Sequence, residues 1–223
     1  RTSDSTEGNV TSSPGEPLKQ GYVAAENRLY PVDEAPQDAS LLAFRERLLT
    51  SVRKHDGAAV LRAVDLRIRV SFGDDNGRKA FSKQWKLDEQ DSPFWHVMEK
   101  ILVNGGSFQE PAATPRRLIA PYVYSRWPEA IDSFENLAVV SSKARMRSKP
   151  DGPEIGTLHY EIVKIANDPG RKGVADSPWR HVVTTGGASA WLAADDLYSP
   201  VGYRAFFEKT PEGWMLTTLV AGD

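Results

Sequence analysis

The chain has 223 residues, which is enough for one large domain or two small ones. Its 28 Lys and Arg residues against 30 Asp and Glu residues leave a formal net charge of -2, so no general attraction to nucleic acid or to anionic membranes is expected. The absence of cysteine excludes disulfide bonds, Cys-containing zinc sites, iron–sulfur clusters and thiol nucleophiles.

The first residues form a polar leader over 1–20, in which Val10 is the one apolar residue up to Glu16. Such a segment buries too little surface to order itself, so it is predicted to be disordered. The start at Arg1, without Met, fits the removal of a signal peptide, and a trimmed start fits equally. No run approaches the roughly 20 apolar residues of a membrane-spanning helix, so no transmembrane span is predicted.

The first half of the chain after the leader is predicted to be helical. Prolines among scattered apolar residues favour an extended arm over 21–37. From there, apolar residues repeat at three- and four-residue spacing, with Ser40 as the N-cap of the first helix and Ser92 as the N-cap of the last. The predicted helices cover 41–54, 58–64, 78–85 and 93–103. The apolar run over 118–124 is interrupted by prolines and is predicted to be irregular or an edge strand.

The second half is predicted to be short strands, because apolar residues alternate there between clusters of Gly, Pro and Asp. The predicted strands cover 137–140, 144–147, 161–165, 179–184, 190–192, 203–208 and 214–220. The last two form a hairpin around Thr210-Pro211-Glu212-Gly213. Since a lone hairpin is barely stable in water, we expect it to return to the first half and cover the apolar faces of the helices.

One stretch of these strands carries a recognisable series of motifs. In order, they are Ala144-Arg145-Met146-Arg147-Ser148-Lys149-Pro150, Gly156-Thr157-Leu158, Glu161-Ile162-Val163-Lys164-Ile165, Trp179-Arg180-His181-Val182-Val183, Gly186-Gly187, Trp191-Leu192 and Leu197. With this order and spacing, residues 139–197 resemble a bacterial SH3 (SH3b) domain. Ala190 stands where that family usually has a Gly before the last Trp, and Tyr160-Glu161 stands where a Gly usually opens the middle strand.

The resemblance implies an all-β SH3-like barrel over 134–199, inserted into a helix-rich domain made of 21–133 with 200–223. The predicted fold class is therefore α+β, with a C-terminal antiparallel hairpin in the helix-rich domain. In architecture alone, that domain is weakly similar to cystatin-like and NTF2-like domains. Alternating residues would fill the barrel, namely Ala144, Met146, Ile162, Val163, Ile165, Val183, Trp191 and Leu192.

The sequence carries no recognisable catalytic or metal-binding motif. The histidines have no metal-ligand spacing, and the serine-hydrolase, NTPase and dinucleotide signatures are missing. His96 and Glu99 come nearest to an acid–base pair, but such i, i+3 pairs are usually surface contacts. Asp195 and Asp196 are expected to be solvated. We therefore predict no catalytic residue, no metal and no cofactor.

The resemblance also implies a function. Bacterial SH3 domains commonly direct cell-wall hydrolases to peptidoglycan or its stem peptides, and the peptidases most often attached need a catalytic Cys, which this chain lacks. The first hypothesis is a non-catalytic, exported cell-envelope protein in the periplasm or outside the cell. It would bind a peptide or a peptidoglycan fragment near Tyr160, Trp179, Trp191 and Tyr198, and it would not bind nucleic acid.

The second hypothesis places function in the α+β domain. There a small-ligand or hydrolytic pocket would be lined by aromatic side chains, and the barrel would be structural or regulatory. The candidate lining residues are Phe81, Trp85, Trp95, Trp127 and Trp214. Core packing is the competing interpretation of all five, because aromatic residues mostly fill volume. The oligomeric state does not follow from the sequence.

Overall fold

The computed structural model describes residues 21–166 and 177–222, so the predicted leader lies outside the described residues. The first half contains β1 (Tyr22–Val23), β2 (Arg28–Leu29), α1 (Ala39–Arg53), α2 (Gly57–Ala63), β3 (Val64–Arg69), α3 (Arg78–Trp85), α4 (Pro93–Val103), β4 (Ser107–Phe108), β5 (Arg117–Ala120) and α5 (Tyr122–Ser125). The second half contains β6 (Asn136–Val139), β7 (Ala144–Arg147), β8 (Glu154–Leu158), β9 (Ile162–Ile165), β10 (Trp179–Val183), β11 (Ser189–Ala193), β12 (Leu197–Tyr198), β13 (Arg204–Thr210) and β14 (Gly213–Val220). None of the described helices is long and apolar enough to cross a membrane.

The predicted helices are present, and α3 and α4 have the predicted bounds. The N-cap of α1 differs from the prediction, because Asp38 rather than Ser40 accepts from the backbone N–H groups of Ser40 and Leu41, at 3.0 and 3.1 Å. Both residue types suit an N-cap. The Ser40 hydroxyl is used elsewhere: it donates to Asp38 and accepts from Trp214 Nε1 at 3.1 Å. It thereby links the start of α1 to the C-terminal hairpin.

The C-terminal hairpin occupies the middle of a five-stranded sheet with the order β3-β14-β13-β5-β4. Strand β14 pairs in parallel with β3, and β13 pairs antiparallel with β5. The predicted return of the hairpin to the helical half is confirmed by this pairing. The prediction of an irregular segment or an edge strand over 118–124 is wrong for β5, because β5 lies between β13 and β4 inside the sheet. Its flanking Pro115 and Pro121 fall outside the strand and leave the ladder intact.

The helices and the five-stranded sheet enclose one hydrophobic core. Helix α1 packs against α2, α4 and β14, and its buried face is Leu41, Phe44, Leu48 and Val52. From the sheet side, Phe207 of β13 meets Phe44 edge-on, with ring centroids 5.9 Å apart. The same core continues to Ala138, Ile162 and Tyr198 of the second half, so the two halves share buried surface.

The second half forms a seven-stranded sheet with the order β12-β6-β9-β10-β11-β7-β8. The sheet is open, which corrects the predicted closed barrel. In the described strands, β12 pairs with β6 and β8 pairs with β7, so these two strands are the edges. The β7–β8 hairpin joins β11 through the register pair Trp191 and Arg147. The α+β class is confirmed, and the domain boundaries at 133 and 200 stay a prediction.

The interior of this sheet agrees only in part with the predicted set. Ala144, Val163 and Leu192 are buried in its core and Met146 packs against that core, whereas Ile162 is buried on the opposite side, in the main core. Ile165 is 40% exposed, and Val182 is buried instead of Val183. Neighbouring residues of a strand point to opposite faces, so a prediction that errs by one position exchanges inside and outside.

Two adjacent phenylalanines of β13 test the core. Phe207 is buried between the sheet and α1, whereas Phe206 is half-buried on the other face. Phe207→Ala should lower the free energy of unfolding by about 3–5 kcal/mol, because it leaves a cavity in the core. The matched variant Phe206→Ala should cost less than half as much. Urea unfolding followed by circular dichroism measures both, and equal losses would contradict this assignment of faces.

Asp38 makes the stability depend on pH. The Ser40 hydrogen bond, with Lys209 and the Leu41 N–H, holds the pKa of the Asp38 carboxyl well below its usual range. The stabilisation is therefore complete above the unfolded-state pKa near 4 and is lost as the pH falls below it. Asp38→Ala should cost about 1–2 kcal/mol at pH 7, as for an N-cap loss.

Urea unfolding at pH 7 and at pH 2.5 measures this effect. The difference in the free energy of unfolding between wild type and Asp38→Ala should be smaller at pH 2.5 than at pH 7. Asp38→Asn serves as the control, because it keeps the capping oxygen but loses the ion pairs to Arg116 and Lys209. A difference that is the same at both pH values would contradict the prediction.

Candidate functional site

Two tryptophans, Trp179 and Trp191, lie on the same outer face of the seven-stranded sheet. Trp191 of β11 stands opposite His181 of β10, and the two rings are stacked at 4.6 Å with 3° between their planes. Arg147 of β7 also stands opposite Trp191, and its Cζ lies 5.5 Å from the Trp179 ring centre. We call Arg147, Trp179, His181 and Trp191 the outer aromatic face. All four side chains are half-buried.

Strand alternation accounts for this placement. Val182 and Leu192 point into the sheet core, so Trp179, His181 and Trp191 must point outward. The expectation that Trp191 fills the interior is therefore wrong. Arg147 is the last residue of β7, and its Nη1 donates to the Gly152 carbonyl at 2.6 Å, which positions the guanidinium.

The other two predicted site residues lie elsewhere. Tyr160 packs against Tyr30 of the N-terminal arm, with ring centroids 5.7 Å apart, and its carbonyl accepts from the Leu29 N–H at 2.8 Å. Tyr198 is buried at the edge strand β12, where its hydroxyl donates to the Tyr203 carbonyl at 2.5 Å and burial raises its pKa. Of the four predicted site residues, the structure therefore places only Trp179 and Trp191 on the same face of the sheet.

Three of the aromatic residues of the alternative pocket pack around Phe94. Phe81 and Trp85 both meet Phe94 edge-on, at 5.6 and 5.7 Å, and Trp95 meets it at 5.2 Å. These rings are buried in the main core. Trp127 is half-buried and donates from Nε1 to the Ile131 carbonyl at 2.8 Å. The fifth residue, Trp214, lines an open groove.

Trp214 lines a groove of about 720 Å³ between α1, α2 and the C-terminal hairpin. The apolar floor includes Phe44 and Leu48, and the rim carries charged side chains of both signs: Glu46, Arg47, Arg62 and Glu212. This groove is where the alternative hypothesis finds room for a small ligand.

A second, polar cleft of about 360 Å³ lies between α4 and the seven-stranded sheet and was not predicted. We call it the α4 cleft, defined by His96, Lys100, Ser177, Arg180 and Asp195. His96 and Lys100 are four residues apart on α4, so helical spacing was a usable signal for this face. Their partners come from distant parts of the chain, which the sequence does not reveal.

The acid–base pair considered from the sequence is separated in the structure. His96 Nε2 lies 3.3 Å from Asp195 Oδ1, whereas Glu99 pairs with Arg53 at 2.8 Å. Within residues 21–166 and 177–222, no group of three or more His, Asp or Glu side chains is arranged to hold a metal ion.

No family model matches the chain. No curated protein matches it either. A solved structure of a designed protein whose name begins Rd1NTF2_05 is similar over 83% of this chain and 99% of that protein, at 12% sequence identity and a TM-score of 0.30. The structural similarity to this NTF2-like protein is weak, and a TM-score this low does not establish a shared fold. The resemblance of 139–197 to bacterial SH3 domains stays a prediction.

Two adjacent residues of β11 test which face is the outer one. Trp191→Ala removes a half-buried ring stacked on His181 and should cost about 1–2 kcal/mol of unfolding free energy. Leu192→Ala removes a fully buried side chain and should cost about 2–5 kcal/mol. Urea unfolding of both variants provides the comparison. If Trp191→Ala proves the more damaging, its ring belongs to the core and the outer aromatic face does not exist.

Proposed function

We propose that this protein is a non-catalytic, exported protein of the bacterial cell envelope, in which an SH3b-type module over 139–197 binds a peptide or a peptidoglycan fragment. The observation that carries the binding part is the outer aromatic face, where Trp179 and Trp191 are half-buried on one side of the sheet. Export and location in the cell envelope are supported by the resemblance to bacterial SH3 domains.

The chemistry of the outer aromatic face suits such a ligand. Flat indole rings contact sugar rings and small apolar side chains with little loss of conformational entropy. Arg147, held by the Gly152 carbonyl, provides a cation over the Trp179 ring that attracts a carboxylate. Peptidoglycan fragments carry sugars, small apolar side chains and carboxylates together. Tyr160 and Tyr198 lie outside this contact set, because Tyr160 packs on Tyr30 and Tyr198 is buried.

The alternative function is small-ligand binding in the α+β domain, with the seven-stranded sheet as a structural or regulatory part. The groove of about 720 Å³ lined by Trp214 favours it. Its volume lies within the range of small-molecule sites, roughly 300–1,000 Å³. Substitutions on the outer aromatic face would leave binding in this groove unchanged, which separates the two functions.

Binding to purified peptidoglycan tests the first function. In co-sedimentation, Trp179→Ala and Trp191→Ala should each raise the apparent dissociation constant about tenfold, because stacked aromatic rings supply much of such binding energy. The matched control is Phe134→Ala, which removes a ring that is 60% exposed outside this face. Arg147→Met should weaken binding mainly at low salt. If both tryptophan variants sediment like wild type, the outer aromatic face is not the binding site.

A further inference from the structure

The N-terminal arm, residues 21–37, is bound firmly to the helical half. Its Leu29 and Val32 are buried in the main core. Asp33 forms a two-pronged ion pair with Arg45 of α1, in which the N–O distances are 2.5 and 2.8 Å. Buried apolar side chains and a bidentate ion pair hold a segment in one place. The arm is therefore a fixed part of the helical half.

One corner of the same arm also binds the seven-stranded sheet. Arg28 forms an antiparallel bridge with Glu161, which comes just before β9, and their side chains form an ion pair at 3.0 Å. Beside this bridge, the Leu29 N–H donates to the Tyr160 carbonyl at 2.8 Å. The arm thus pairs with the start of β9 as a short additional strand.

Asn27 completes this connection. Its carbonyl accepts from the Ile162 N–H at 3.0 Å, and its Nδ2 donates to the Ile162 carbonyl at 2.8 Å and to Thr185 Oγ1 at 2.7 Å. Thr185 lies between β10 and β11, so one amide side chain connects the arm to two places in the sheet. We call residues 27–29 with residues 160–162 the arm latch.

The backbone of the arm latch is held in an unusual conformation at two residues. Asn27 has a φ of 49° and Tyr160 a φ of 61°. Asn adopts this left-handed region readily, whereas a bulky Tyr does so at a cost and only where its surroundings hold it. The arm supplies two of the contacts that hold Tyr160: the Leu29 N–H on its carbonyl, and the Tyr30 ring at 5.7 Å. Release of the arm would allow Tyr160 to relax.

We propose that the arm latch is a conformational device that opens while the helical half stays folded. Its hydrogen bonds and its ion pair are partly exposed, so water replaces them when it opens, and the net cost of losing each is small. Opening frees the start of β9 and the β10–β11 turn. Strands β10 and β11 carry Trp179, His181 and Trp191, so the latch sets the mobility of the outer aromatic face, whether or not that face binds a ligand.

Native-state hydrogen exchange of the wild-type protein tests the proposal first. The amide hydrogens of Leu29 and Ile162 both cross the latch, so they should have the same protection factor. That factor should be at least about tenfold lower than for the amides of β13, which are exposed only when the five-stranded sheet opens. Protection of Leu29 and Ile162 equal to that of β13, or very different between the two, would overturn the proposal.

Two variants test which side chains hold the latch closed. Asn27→Gly keeps the left-handed backbone but removes two hydrogen bonds, so protection of the β10–β11 amides should fall about tenfold. Glu161→Gln removes the ion pair to Arg28, and protection should fall about threefold. In both variants the amides of β13 should stay within about twofold of wild type.

Glu99→Gln is the matched control, because it makes the same chemical change in an ion pair, at 2.8 Å from Arg53, that lies inside the helical half. It should leave the protection of the β10–β11 amides unchanged. If Asn27→Gly and Glu161→Gln affect those amides no more than Glu99→Gln does, the latch does not exist. If β13 loses protection by the same factor as β10 and β11, the arm contributes only to global stability, and the proposal is wrong.

Discussion

The fold depends on the return of the C-terminal hairpin to the middle of the five-stranded sheet. Strands β13 and β14 lie between β3 and β5, so the apolar faces of the helices are covered only when the end of the chain is in place. Ala120 of β5 pairs with Ala205 of β13. The long segment between them therefore leaves and rejoins the sheet at neighbouring strands, which allows a second sheet to form there without disturbing the first.

The second sheet is not an independent appendage. Tyr198 and Ile162 are buried in the core of the helical half, and Lys100 of α4 bonds to the Ala194 carbonyl beside β12. The N-terminal arm adds a backbone bond from Leu29 to Tyr160. Buried apolar contacts and hydrogen bonds therefore join the two halves where the α4 cleft lies.

The two candidate sites differ in physical character. The outer aromatic face is an open surface on which ring contacts dominate, with Arg147 as its cation beside the Trp179 ring. The α4 cleft is narrower and charged, and its Lys100 is largely removed from water.

Local pattern was sufficient for the helices and most strands. Apolar spacing and caps predicted α3 and α4 with their bounds, because a helix of this kind is determined by contacts a few residues apart. Strand β8 was missed as a separate strand, since its Glu154, Gly156 and Thr157 give no alternating apolar signal. The side on which Trp191 lies could not be predicted either, because its neighbour Leu192 on β11 is equally apolar and a shift of one residue reverses the faces. The order and open edges of the sheets, and the pairing of His96 with Asp195, arise from contacts between distant residues. Only the tertiary structure decides such contacts, because they form where separate apolar surfaces pack together.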